Sequence, residues 1–100
     1  MDINNIPEAL SLPLRLKLIS CLVNGRKTFN ELKELVEASD GNMSVQLSKL
    51  ENWGIIISKK IIKGKKPQTT YEITEYGIDV LKEYVKLLES IIVKVEQTDD

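Results

Sequence analysis

Five lysines fall within eight positions of this chain: Lys59, Lys60, Lys63, Lys65 and Lys66. Ammonium groups that dense neutralise phosphates and displace their counterions. A lysine suits a point contact to phosphate better than it suits a flat base edge. A second set lies upstream, comprising Gly41, Asn42, Ser44, Val45, Gln46, Ser48 and Lys49. Asn and Gln pair bidentately with adenine, small polar side chains approach base edges closely, and an apolar group such as Val45 suits a thymine methyl. Both sets suit recognition of a double-stranded polyanion rather than the making or breaking of bonds.

Bond-making chemistry has few residues to work with. The 100 residues include no histidine and one cysteine, Cys21. That removes a His/Cys zinc cluster, a Ser-His-Asp or Cys-His pair and an intrachain disulfide. No carboxylate pair marks a cleft for acid-base work, so an enzyme is not expected, nor a metal or cofactor. Cys21 sits among Leu18, Ile19, Leu22 and Val23 and reads as a small core residue. A lone thiol suits a reducing cytoplasm. No basic segment leads into an apolar run at the N-terminus, and no apolar stretch reaches the ~20 residues of a membrane helix. The expectation is a soluble cytoplasmic protein with no membrane partner.

The net charge of −1 is unevenly spread. Residues 26–66 carry nine basic against five acidic side chains, whereas residues 67–100 carry three against eight. A basic middle and an acidic C-terminal segment matter more to a binding face than the total does.

These side chains need elements to present them. A 100-residue chain has room for one core, so residues 1–100 are expected to be a single domain, mostly α with a small β-hairpin. Asn4 and Asn5 can cap a short turn through Pro7 and Leu10. A first helix follows, capped by Ser11 or Leu12, with Pro13 in its first turn. Its apolar face is Leu14, Leu16, Leu18, Ile19, Leu22 and Val23, and Asn24-Gly25 ends it. Thr28 and Glu31 fit a capping box that opens a short second helix ending near Glu37. Phe29, Leu32, Leu35 and Val36 form its buried face. After the link Ala38-Ser39-Asp40, Ser39 caps a third helix over 40–53, with Met43, Leu47 and Leu50 inward and Gly54 as a left-handed stop. Two helices joined by such a turn form a helix-turn-helix. The isoleucine-rich residues 55–63 and the alternating residues 69–74 read as strands joined by a basic loop, 64–68. Thr74 caps a last helix running to about Glu96, with 97–100 frayed.

The order helix, helix, helix, hairpin, long helix is that of a winged helix. Ser-Leu-Pro-Leu-Arg-Leu-Lys-Leu-Ile at 11–19, Ser-Asp-Gly-Asn-Met-Ser-Val-Gln-Leu-Ser-Lys-Leu-Glu-Asn-Trp-Gly at 39–54 and Tyr-Glu-Ile-Thr-Glu-Tyr-Gly at 71–77 resemble small winged helix-turn-helix regulators of the MarR/ArsR-like type. The resemblance covers roughly residues 10–93. It implies that residues 10–74 are the helix-turn-helix and wing, that helix 40–53 enters the major groove, and that the hairpin reaches flanking DNA. It also implies that 75–96 pair two copies into a homodimer, and that a small-molecule effector, as yet unidentified, binds between the two parts. No convergent polar set in the sequence marks such an effector site.

On this reading the DNA-binding residues are Thr28, Gly41, Asn42, Ser44, Val45, Gln46, Ser48 and Lys49, with Lys60, Lys63, Lys65 and Lys66 on the wing. Residues 78–95 carry two apolar stripes where one would seat the helix on its own domain. A second copy is the economical cover, through Ile78, Leu81, Tyr84, Val85, Leu88, Ile91, Ile92 and Val95, with help from the first helix and residues 3–10. Trp53, Tyr71 and Tyr76 read as packing residues. One departure stands out: the third helix has no arginine, the commonest reader of guanine, so base contacts should be modest or A·T-leaning. The alternative is a winged-helix protein-interaction module without specific DNA binding. The negative total charge and the arginine-free helix favour it, and the lysine-rich wing opposes it.

Overall fold

Pro13 opens the first helix because its missing N–H falls where a helix has no partner for one. In the computed structural model, which describes residues 8–98, extended Leu12 is the N-cap and α1 spans Pro13–Leu22. A 3-10 turn, Glu8–Leu10, precedes it and buries Ala9 and Leu10. The cap expected at Asn4 or Asn5 lies outside the described residues. Leu18, Ile19 and Leu22 form the fully buried face of α1. Cys21 is half-buried against the same cluster.

A two-residue strand follows, β1 (Lys27–Thr28). Thr28 then caps α2 (Phe29–Leu35) through the expected box: its hydroxyl accepts from Glu31 N at 3.2 Å, and Glu31 Oε1 accepts from Thr28 N at 3.0 Å. The helix is two residues shorter than expected. Val36 is already extended as the C-cap and turns inward, which leaves Leu35 58% exposed, so Leu35 is no part of the buried face. Ser39 caps α3 (Asp40–Asn52) by accepting from Asn42 N at 3.1 Å. Trp53 is its C-cap, and Gly54 provides the left-handed exit at φ +76°.

The hairpin is longer and tighter than the sequence suggests. Strands β2 (Ile56–Lys63) and β3 (Lys66–Ile73) pair antiparallel from Ile56↔Ile73 out to Lys63↔Lys66. Only Gly64 and Lys65 form the turn, with Gly64 at φ +68° supplying the conformation a two-residue hairpin needs at its first position. Residues 66–68 are therefore strand, not loop. Pro67 is tolerated because β1 covers β3 only at Thr70 and Tyr71, so Pro67 has a neighbour on one side alone. The sheet order is β1-β3-β2.

Helix α4 (Glu75–Thr98) leaves the body along one line. The expected end near Glu96 is passed by two residues, and Asp99 and Asp100 lie outside the described set. The radius of gyration is 16.1 Å, against about 13 Å for a compact 100-residue domain. The longest dimension, 64 Å, accounts for the difference. No helix among the described residues is long and apolar enough to cross a membrane.

The junction between α4 and the body is close-fitting. Thr74 Oγ1 donates toward Gly54 O (2.6 Å) and Ile55 O (3.0 Å) and accepts from Gly77 N (2.9 Å). Thr74 N also bonds Ile55 O at 2.9 Å. One residue thus caps α4 and ties it to the chain just after α3. Gly77 is buried there, and a Cβ on it would overlap the carbonyl oxygen of Ile55 and lie 2.9 Å from Ile73 Cγ1.

Candidate nucleic-acid interface

Helix α3 turns Met43, Leu47 and Leu50 into the core and leaves Gly41, Asn42, Ser44, Val45, Ser48 and Lys49 exposed. Gln46 is a correction. It is 6% exposed, so it does not stand with the outward row. Its amide is held between Arg15 Nε, which donates to Oε1 at 2.8 Å, and Asn42 Oδ1, which accepts from Nε2 at 3.1 Å. A side chain bonded at both ends and covered by its neighbours has nothing to offer a base edge.

Arg15 was not singled out from the sequence. It is 6% exposed, its Nη1 donates to Glu8 O at 2.6 Å, and its guanidinium lies 5.0 Å from the centre of the Trp53 ring. Trp53 is therefore the packing residue expected, with a cation on its face. The signal for Arg15 was available: Leu18, Ile19 and Leu22 follow it at three, four and seven positions, so it lies on the buried stripe of α1.

Electrostatics around the exposed row are less adverse than a list of charges suggests. Asp40, at the start of α3, pairs with Lys33 of α2 at 2.6 Å. Glu51 accepts from Ser58 Oγ at 2.6 Å. The Glu31 carboxyl is held below its ordinary value, first by the backbone N–H of Thr28 and then by the Thr28 hydroxyl; Lys27 and Lys63 act in the same direction. That places the field of wing residue Lys63 on the N-terminus of α2, where half-buried Thr28 spends its hydroxyl as the cap.

The wing lysines are distributed by the register. Lys63 faces Lys66 across the hairpin, Lys65 sits in the turn, and Lys60 faces Thr69; all four are exposed. Lys59 instead pairs with Glu72 at 3.4 Å. The exposed cations thus gather at the outer half of the hairpin, where Ile62, 80% exposed, faces Pro67.

The expected interface on α4 divides. Leu81 and Tyr84 pack half-buried against the core, Leu81 while also lining an open groove with Ile78 and Val85, and Ile91 is half-buried. Ile78, Val85, Leu88, Ile92 and Val95 are exposed, as is Val93, which lies outside the expected set. An open cleft of about 470 Å³ lies between the 3-10 turn and the start of α4, lined by Glu8, Ala9, Trp53, Ile55, Tyr76, Asp79, Val80 and Glu83.

A helix-turn-helix with capped helices, followed by a basic two-stranded wing, defines a winged helix domain. The sequence pattern of the winged helix DNA-binding domain family matches residues 14–92, and the chain belongs to that family. Among its relatives is an HTH-type transcriptional regulator of Methanocaldococcus jannaschii, 28% identical over 88% of this chain and 93% of the relative. A biofilm growth-associated repressor of Xylella fastidiosa is 32% identical over 74% of the chain, which spans 61% of that protein's length. A MarR-family regulator from Enterococcus faecalis has the same fold, with a TM-score of 0.80 at 18% identity over 96% of this chain and 87% of that one.

Proposed function

We propose that this protein is a homodimeric transcription regulator that binds double-stranded DNA, with α3 in the major groove and the wing lysines on the phosphate backbone. The observation that carries the reading is the outward row of α3, Gly41, Asn42, Ser44, Val45, Ser48 and Lys49, in a chain whose only tight basic cluster tips the adjoining wing. Small side chains on the leading turns let the helix backbone approach base edges, and the lysines supply the charge that α3 lacks. The apolar stripe of Ile78, Val85, Leu88 and Ile92 on a projecting helix supports pairing of two copies. A two-fold dimer presents two α3 helices to half-sites about 34 Å apart. A small-molecule effector would sit in the cleft beside Trp53.

The test is titration of a random duplex pool at several salt concentrations, comparing the wild type with Lys63→Ala/Lys65→Ala/Lys66→Ala. Each phosphate contact contributes about 0.9 to the slope of log K against log salt, so the variant's slope should be shallower by about 2.7. Binding by the folded wild type that is absent at low salt would refute the reading. It would favour instead a protein-interaction winged helix, for which the arginine-free α3 speaks.

A further inference from the structure

A guanidinium has five N–H donors and no acceptor. Whatever Gln46 turns toward Arg15 must therefore be its oxygen, and Arg15 Nε reaches Oε1 at 2.8 Å. The Gln46 amide nitrogen is then forced to the other side, where it meets Asn42 one turn earlier on α3. Two N–H groups facing Asn42 require an acceptor, so Asn42 turns Oδ1 inward, at 3.1 Å. Its Nδ2 is left pointing outward from an exposed side chain, and no hydrogen bond from Nδ2 occurs among the described residues.

Nothing in the shape of an amide distinguishes its two ends; the donors around it do. Here the chain of donors begins at a group that cannot reverse. Arg15 is locked by Glu8 O and the Trp53 face, is 6% exposed, and has no carboxylate partner among the described residues.

We propose that Arg15, acting through Gln46, fixes Asn42 as a hydrogen-bond donor toward DNA, so that this position selects a base presenting an acceptor in the major groove. Guanine O6 and N7, thymine O4 and adenine N7 meet that requirement, and cytosine, which offers only its N4 amino group, does not. The bidentate pairing of Asn with adenine is set aside, because Oδ1 is turned inward to Gln46, and only Nδ2 is left to meet adenine N7. Gln46 is a positioning residue, and Asn42 is the reader. The inference rests on the proposal that α3 lies in the major groove.

The test is to reverse the relay. In Gln46→Glu both carboxylate oxygens accept, one from Arg15 and one from Asn42, so the Asn42 amide must turn and present Oδ1. Selection from a random duplex pool should show the preference at one base pair inverting from guanine or thymine toward cytosine, with adenine, which offers both an acceptor and a donor, accepted in each case. The expected change is about three- to tenfold, the worth of one neutral hydrogen bond, with neighbouring positions unchanged. Asn42→Asp, which shows an oxygen outward in either orientation, should give the same inversion. Asn42→Ala should flatten the preference there.

Side-chain amide exchange by NMR reads the relay without DNA. In the wild type the Gln46 NH2 is protected and the Asn42 NH2 exchanges freely; in Gln46→Glu the Asn42 NH2 becomes protected. Folded Gln46→Glu and Asn42→Asp variants that keep the wild-type base preference overturn the proposal. So does a protected Asn42 NH2 in the wild type. Wild-type protein that binds duplex without any sequence preference overturns the base-reading step while the exchange pattern still reports the relay, and protein that binds no duplex overturns the DNA reading itself.

Discussion

Replacing Gly77 with alanine sets two physical effects against each other, and the sign of the outcome decides between them. Alanine in a helix is favoured over glycine by about 0.8–1 kcal/mol, so propensity alone predicts a more stable protein. The structure predicts the reverse. The added methyl would occupy the position of the Ile55 carbonyl oxygen and lie 2.9 Å from Ile73 Cγ1. The first obstacle is backbone held by Thr74, so neither side yields easily. Overpacking of this kind costs about 1–3 kcal/mol. If α4 retreats instead, the Thr74 hydrogen bonds to Gly54 and Ile55 lengthen, at about 1 kcal/mol each. Taking about 3 kcal/mol, the upper end of the overpacking range because the obstacle is backbone, and subtracting the propensity gain leaves a net loss of about 2 kcal/mol. For a domain of this size that lowers Tm by about 8–16 °C. Thermal unfolding followed by circular dichroism at one fixed protein concentration measures it, since pairing would otherwise shift the midpoint. A Gly77→Ala protein as stable as the wild type, or more so, would show that α4 does not approach the chain after α3 as described.

Thr74→Ala removes the hydroxyl that caps α4 and bonds Gly54 O, and should cost about 1–2 kcal/mol by chemical denaturation; Thr74→Ser should recover most of it. Glu31 contributes stability that is fully present above its ordinary value of 4.5 and lost as pH falls through its lowered folded value. Glu31→Gln should therefore narrow the gap between neutral and acidic stability, and an unchanged gap would place the acid sensitivity elsewhere. Val85→Asp/Ile92→Asp puts charge on the open stripe of α4 without touching the core, and sedimentation equilibrium should show pairing weakened at least about tenfold. An unaltered mass distribution would mean that another surface, or none, joins the copies.

The helices were legible because local rules and tertiary packing agree in them. Pro13, the Thr28–Glu31 box, Ser39 and Thr74 act as the start signals their chemistry suggests, and Gly54 acts as a stop. The sheet was less legible because its pairing is long-range. Strand β1 is two residues with no periodicity, made into a strand only by Tyr71 and Thr70 far along the chain. Pro67 argued for loop, and only the missing neighbour on one side of β3 lets it stand in a strand. Within the outward row, Gln46 was misplaced because angular position alone does not reveal that a buried arginine waits for it. The row's other members are set by helix geometry, and that much the spacing of Met43, Leu47 and Leu50 determines.

Thr74 ties the first turn of α4 to Gly54 and Ile55, the residues that follow α3 and its C-cap. From there α4, 24 residues, runs about 36 Å, and α3 runs about 18 Å from Gly54 back to Asn42. The two helices share one fixed point, so the spacing of any two copies joined through α4 would reach their α3 helices through the junction that Thr74 and Gly77 form.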